Sequence, residues 1–95
     1  MDALPERRLI GAIIDSALSD ARVNDNQGVK AAEFLISPRS DVYFHLLELD
    51  PVEYRRGLWR TANATVSSEL GIDAKARRAL RINLEEAMKR YGYQL

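Results

Sequence analysis

Two prolines, each preceded by a residue that favours the N-cap of a helix, constrain the fold of this 95-residue chain most strongly. The dipeptides are Ser37-Pro38 and Asp50-Pro51. Serine and aspartate side chains accept hydrogen bonds from the first free N–H groups of a helix, and proline suits its first turn because an N–H there has no intrahelical partner. Each dipeptide therefore predicts the start of a helix.

Apolar residues elsewhere recur with helical periodicity, and no segment shows the alternation of a half-buried strand. Leu9 and Ile13 begin such a stripe near the N-terminus, while the polar residues 24–28 favour a loop. Asp73 and Gly92 are suited to the N-cap and C-cap of a last helix. We predict an all-α fold, in which residues 1–95 form one compact domain of about five helices. The expected helices lie near 5–22, 29–36, 38–49, 51–63 and 73–91.

The composition excludes several classes of functional site. The chain has no cysteine and one histidine, which argues against disulfides, cysteine-ligated metals, thiol catalysis and multi-histidine metal sites. His45 stands in no nucleophile motif, so we predict no enzyme, no cofactor and no metal. The longest apolar run, 9–14, is too short for a membrane span or a signal-peptide core, and we expect a soluble cytoplasmic protein.

The formal net charge is zero, but the charges are unevenly distributed. Residues 1–53 carry ten acids and five bases, whereas residues 54–81 carry seven bases and two acids. Such a division predicts an anion-binding face in the second segment. Alternatively, the two segments neutralise each other across the fold or across a dimer interface.

The helices predicted over 38–49 and 51–63 are joined by a very short turn, as in a helix-turn-helix pair. One turn residue of such a motif takes a positive φ, and in the absence of a glycine this must be Glu48 or Leu49. In DNA-binding members the second helix enters the major groove. Here its buried stripe would be Tyr54, Leu58 and Ala62, and its outward face Glu53, Arg56, Arg60 and Asn63, with Arg55 near the edge.

Arginine and lysine side chains provide the candidate nucleic-acid contacts, because guanidinium groups bind guanine edges and phosphates and ammonium groups bind phosphates. Bases crowd the first two turns of the last helix, although positive charge there opposes the helix dipole. An anionic partner would explain this arrangement, as would neutralisation by acids of the fold. The predicted nucleic-acid-binding residues are Arg55, Arg56, Arg60, Lys75, Arg77, Arg78 and Arg81.

Residues 32–37 and 41–58 read AEFLIS and DVYFHLLELDPVEYRRGL. They resemble small helical proteins of bacteriophages and prophages, most of unknown function, with the pattern A-x-x-[FW]-[LI]-x-S … D-[FY]-x-x-[IV]-C-x-x-[AL]-[GE]-[LI]-D-P-x-x-[VY]-R. The likeness extends over about half of the chain. Leu46 or a neighbour stands where that pattern often has cysteine, and Glu48 where many members have glycine. The resemblance implies a small mobile-element protein of a kind often taken to bind DNA.

Two hypotheses follow from the sequence. In the first, the chain is a phage-like DNA-binding or regulatory protein whose partner is double-stranded DNA. In the second, it is a protein–protein interaction module or a homo-oligomeric adaptor with no nucleic-acid role, in which the acidic segment of one chain meets the basic segment of another. Salt-sensitive binding to a duplex would favour the first, and a salt-sensitive oligomer would favour the second.

Overall fold

The polypeptide is helical in nearly all of the part that the computed structural model describes, residues 4–64 and 74–95. Within these ranges there are five α-helices, one 3₁₀ turn and no strand, which confirms the all-α prediction. The radius of gyration is 13.3 Å, near the ~12 Å expected of a folded domain of this length. The elements are α1 (Leu4–Ala21), α2 (Asn26–Ile36), the 3₁₀ turn (Pro38–Ser40), α3 (Asp41–Leu46), α4 (Pro51–Ala62) and α5 (Ala74–Tyr91).

Helix α2 lies at the centre of the bundle, because it packs along both α1 and α5. All five helices contribute side chains to one continuous core. Burial of this apolar surface is the main force that holds the short helices together, since isolated helices of such lengths are marginal in water. The core residues are Ile14, Ala21, Ala32, Leu35, Ile36, Phe44, Leu58, Ala62, Leu80, Leu84 and Ala87.

The start of α2 differs from the prediction. We expected a loop over 24–28 and a helix from Val29, but α2 begins at Asn26. Asp25 has an extended backbone, and its side chain accepts a hydrogen bond from the backbone N–H of Gly28 at 2.7 Å. This N-cap satisfies a free donor of the first turn, so the helix starts before the glycine.

The segment predicted as one helix over 38–49 is divided and shorter. Ser37 caps its first turn as expected, but that turn is 3₁₀, and α3 extends only over Asp41–Leu46. Ser40 is fully buried, and its hydroxyl lies within hydrogen-bond distance of the backbone oxygens of Ser37 at 2.9 Å and Leu35 at 3.2 Å, either of which can accept its proton. These bonds hold the 3₁₀ turn against the end of α2.

The spacing of apolar residues in the last helix predicts an inward stripe of Ala76, Leu80, Leu84, Ala87, Met88 and Tyr91, and α5 buries a stripe close to it. Leu80, Leu84 and Ala87 are buried as expected, whereas Tyr91 is half-exposed. Asn83, which was not predicted to be buried, is fully enclosed. The predicted C-cap at Gly92 is confirmed by its φ of 75° and its hydrogen bond to the oxygen of Met88, while the predicted N-cap, Asp73, lies outside the described residues.

Candidate nucleic-acid interface

The connection between α3 and α4 is a four-residue turn, Leu47 to Asp50. A positive φ was expected at Glu48 or Leu49, and Glu48 is the residue that takes it, with a φ of 60°. The Leu49 N–H donates to the oxygen of Phe44 at 2.8 Å. The Glu48 carboxylate pairs with Arg7 of α1 at 3.0 Å. The turn therefore reverses the chain so that α4 starts immediately beyond α3.

Asp50 caps α4 as predicted. Its carboxylate accepts from the backbone N–H groups of Val52 at 2.9 Å and Glu53 at 3.5 Å. The Glu53 carboxylate in turn pairs with Arg56 at 3.2 Å. Both carboxylates therefore lie at the N-terminal end of α4, where they complement the helix dipole.

Arg55, a predicted DNA contact, is bonded to the fold. Its Nε donates to the oxygen of Leu35 at 3.0 Å, and its Nη2 lies within hydrogen-bond distance of the Ser37 oxygen, the Ser40 hydroxyl and the Asp41 carboxylate, at 2.8, 2.9 and 2.6 Å. Only 13% of its side chain is exposed, although it lines a groove together with Arg56. The guanidinium thus joins α4 to the corner between α2 and α3, and little of the side chain is accessible to a ligand.

The outward face of α4 agrees with the helical spacing in the sequence, since its four predicted residues are all exposed. Arg56 pairs with Glu53, and each side chain is 64% exposed. Arg60 makes no hydrogen bond or ion pair with a described residue. The Asn63 amide donates to the backbone oxygen of Trp59 at 2.8 Å, so part of its hydrogen-bonding capacity closes the end of the helix.

Three of the four predicted bases of α5 are exposed. Lys75 and Arg78 form no ion pair within the described ranges. Arg81 lies 3.9 Å from the Glu85 carboxylate, at the outer limit of an ion pair, and both side chains are largely exposed. Pairs of this kind contribute less than about 1 kcal/mol, so Arg81 can leave its partner for a phosphate at little cost.

Arg77, a predicted phosphate contact, is half-buried, and its guanidinium donates to the backbone oxygen of Ala64, just beyond the end of α4. The side chain therefore joins the first turn of α5 to the residue that follows α4, and less of it is accessible than of the other three bases.

A basic groove that the sequence analysis missed lies between the first turns of α5 and the residues that follow α1. Arg22 stands on one side of it, and Lys75 and Arg78 stand on the other. No acidic residue lines it within the described chain. Arg22 has no distinguishing sequence signal, because a base near the end of α1 reads as an ordinary complement to the helix dipole. The other lining residues are Val23, Asn24, Ala76, Ala79 and Ile82.

Arg56 lines a groove other than the basic groove, together with Arg55, Pro38, Val52 and the C-terminal residues 93–95. Arg22 lines both the basic groove and a neighbouring depression along α4. Arg56 and the pair Lys75 and Arg78 thus line different grooves.

Tyr54 forms part of the depression beside α4. Burial raises the pKa of its phenol above the usual value, and the negative charge of Asp15 raises it further, while Arg22 opposes the shift. The phenol is therefore kept neutral at physiological pH. The Tyr54 side chain therefore lines the depression as an uncharged, half-buried group.

The described part of the chain contains no group of three or more histidine, aspartate or glutamate residues arranged to hold a metal ion. In the same ranges, no helix combines the length and apolar character needed to cross a membrane. Comparison with protein-family models, with curated proteins and with solved structures finds no match to this chain.

Proposed function

We propose that the protein binds double-stranded DNA as a small regulatory protein of the phage-like kind that the sequence resembles. The observation that carries this proposal is the arrangement of α4. Arg56 and Arg60 are exposed on its outer face, whereas Arg55 of the same helix is fixed inside the fold. A helix held rigidly from within and carrying arginines outside is suited to insertion into a major groove.

The spacing on the outer face supports base contacts. Arg56 and Arg60 are four residues apart, which places them about 6 Å apart along the helix axis, close to the rise of two base pairs. Each guanidinium can donate two hydrogen bonds to a guanine. Glu53 precedes Arg56 by one turn, and its carboxylate can accept from the amino group of cytosine. The acid beside the arginine therefore contributes to sequence preference.

Phosphate contacts would come from Lys75, Arg78 and Arg81 of α5. The first two lack ion-pair partners among the described residues, and the third has a long, exposed pair. Because the net charge is zero, attraction to DNA depends on these local groups and not on the charge of the whole molecule. Binding should accordingly weaken steeply as salt rises.

A fluorescence anisotropy titration with a mixed-sequence duplex at two salt concentrations tests the proposal. We expect salt-dependent binding at micromolar protein. Arg60→Ala and Arg56→Ala should each cost about 1–3 kcal/mol on a preferred sequence and relax the preference at one base position, and Arg78→Ala should lower the salt slope by about one. Lys30→Ala removes the same charge from an exposed position on α2 and is the matched control.

Two results would contradict the proposal. The first is an absence of duplex binding at low salt. The second is equal binding by the parent, Arg60→Ala, Arg78→Ala and Lys30→Ala, since a contact at α4 or α5 cannot be lost without effect. Either result would indicate that the acidic and basic segments serve protein–protein contacts.

One observation favours the second hypothesis, a self-associating interaction module. Leu9 is 65% exposed and Ile13 is 36% exposed, and both line an apolar groove on α1 that also contains Phe34. A second copy of the chain could cover this groove. Sedimentation velocity over a range of concentrations tests this idea, and a mass that stays monomeric at all concentrations would contradict it.

A further inference from the structure

We propose that the basic groove of Arg22, Lys75 and Arg78 binds a phosphate group. The ligand class is a phosphate monoester or diester, which includes the backbone of DNA and small phosphorylated molecules. The inference rests on the proposed function only for the source of the phosphate, because the site itself follows from the groove.

Three positive charges converge on this groove. The three cations come from two separate parts of the chain, the end of α1 and the first two turns of α5, and they line one groove of about 470 Å³. Like charges repel one another, so their convergence costs free energy in the absence of an anion. None of the lining residues in the described ranges is acidic, and the three side chains make no ion pair with a described residue. The lining of this groove therefore carries three positive charges and, among the described residues, no negative one.

One nitrogen of the Arg22 guanidinium lacks a hydrogen-bond partner among the described residues. Its Nε is buried and has no hydrogen-bond partner in the described part of the chain. A buried guanidinium nitrogen without an acceptor is costly, and most such groups in folded proteins are satisfied. The buried Nε is not accessible to a ligand, but a phosphate in the groove would accept hydrogen bonds from the terminal nitrogens of the guanidinium and neutralise its charge.

The side chains that line the groove offer several hydrogen-bond donors. A guanidinium offers two parallel donors to phosphate oxygens, an ammonium offers a compact charge, and the Asn24 side chain adds an amide. Sites that bind a tetrahedral anion typically combine such guanidinium and ammonium groups, and this groove has two guanidinium groups and one ammonium group. The apolar residues Val23 and Ile82 also line the groove and leave room for the organic part of an ester.

The direct test uses inorganic phosphate as the probe and the full chain labelled with ¹⁵N. Phosphate is exchanged for chloride at constant ionic strength, and amide shifts are recorded. We expect saturable shifts at Val23, Asn24 and the first turns of α5. Arg22→Gln and Arg78→Gln should each weaken binding about tenfold or more, whereas Lys30→Gln should leave it unchanged. Arg22→Lys should restore part of the affinity, since it keeps the charge.

A second titration with the DNA duplex identifies the source of the phosphate. If Arg22→Gln lowers the duplex affinity and its salt slope by about one, the groove holds a backbone phosphate. If inorganic phosphate binds in the groove and duplex affinity is unaffected by Arg22→Gln, the site serves a small phosphorylated molecule, and the inference still holds. Thermal unfolding of each variant confirms that it is folded, and the exposed Arg78 provides a test that does not disturb a half-buried residue.

The inference would be overturned if phosphate produced no saturable shifts at the groove. It would also be overturned if Arg22→Gln and Arg78→Gln bound phosphate as tightly as the parent. These outcomes are independent of duplex binding through Arg56 and Arg60. Failure of the groove and failure of the proposed function are therefore distinguishable.

Discussion

Gly28 lies directly beside Asn83, and the missing side chain of the glycine leaves space for the asparagine amide. Asn83 uses that space to donate to the backbone oxygens of Ala21 at 2.7 Å and Val23 at 2.8 Å. These are carbonyls at the end of α1, where intrahelical donors are absent. One side chain of α5 thus closes the end of α1, and it can do so only because α2 has a glycine in its first turn.

Gly28→Ala should therefore destabilise the protein. A Cβ at this position would overlap the Val23 oxygen and the Asn83 amide, and we expect a loss of about 2–3 kcal/mol in the free energy of unfolding, measured by urea denaturation. Gly11→Ala is the matched control. Nothing lies within 4 Å of its added carbon, so it should stabilise α1 by up to about 1 kcal/mol. Equal effects of the two variants would refute the close packing at Gly28.

Arg55→Ala should reduce stability rather than remove a DNA contact. It takes the hydrogen-bonding partner away from Asp41, Ser40 and two backbone oxygens, so we expect a loss of about 2–3 kcal/mol. Arg55→Lys should recover only part of it, because an ammonium cannot reach several acceptors as a planar guanidinium does. Arg56→Ala, on the exposed face, should change stability by less than about 0.5 kcal/mol. Chemical denaturation of all three variants decides the matter.

Glu48→Gly should stabilise the turn between α3 and α4. A glutamate at φ 60° is strained by its Cβ, and glycine relieves that strain at some cost in unfolded-state entropy. The variant also loses the ion pair with Arg7, whose partner carboxylate is 82% exposed and therefore contributes little. We expect a net gain of about 0.5–1 kcal/mol, and thermal unfolding at matched concentrations measures it. A loss of stability would show that the ion pair outweighs the strain.

Tyr54 should make stability depend on alkaline pH. Burial, reinforced by Asp15 and opposed by Arg22, raises the pKa of the folded phenol above its ordinary value of 10.0. Well below pH 10 the phenol is protonated in both the folded and the unfolded chain, so it adds no pH dependence to stability. As pH rises past it, the unfolded chain loses the proton first, so stability falls until the folded phenol also ionises. The difference in unfolding free energy between the parent and Tyr54→Phe isolates this contribution, and a difference that is constant from neutral to alkaline pH would contradict it.

Local signals predicted much of this fold. Asp50 caps α4, Ser37 caps the 3₁₀ turn and Gly92 ends α5, and each acts on groups within a few residues of itself. The periodicity of apolar residues identified the inward face of α4 and the central part of the α5 stripe. Such features depend on the geometry of a single helix, so the sequence displays them directly.

Contacts between distant segments were not predictable in the same way. The burial of Asn83 depends on where α1 ends, and the role of Arg55 depends on the carbonyls of the α2 corner. Arg22 joins Lys75 and Arg78 only after α1 and α5 have packed. A helical wheel does not distinguish an arginine that points inward from one that points outward when it lies near the edge of the apolar stripe. The helical spacing alone therefore predicts surface positions for both Arg55 and Arg77.

The internal attachment of α4 also affects how the protein can change over generations. Arg55 and Leu58 hold the helix from within, Asp50 caps its start, and the outward positions have little part in that attachment. Substitutions at Arg56 or Arg60 can therefore accumulate without loss of folding. The outer surface of α4 can therefore change in sequence while the residues that anchor the helix inside the fold are conserved by the need to fold.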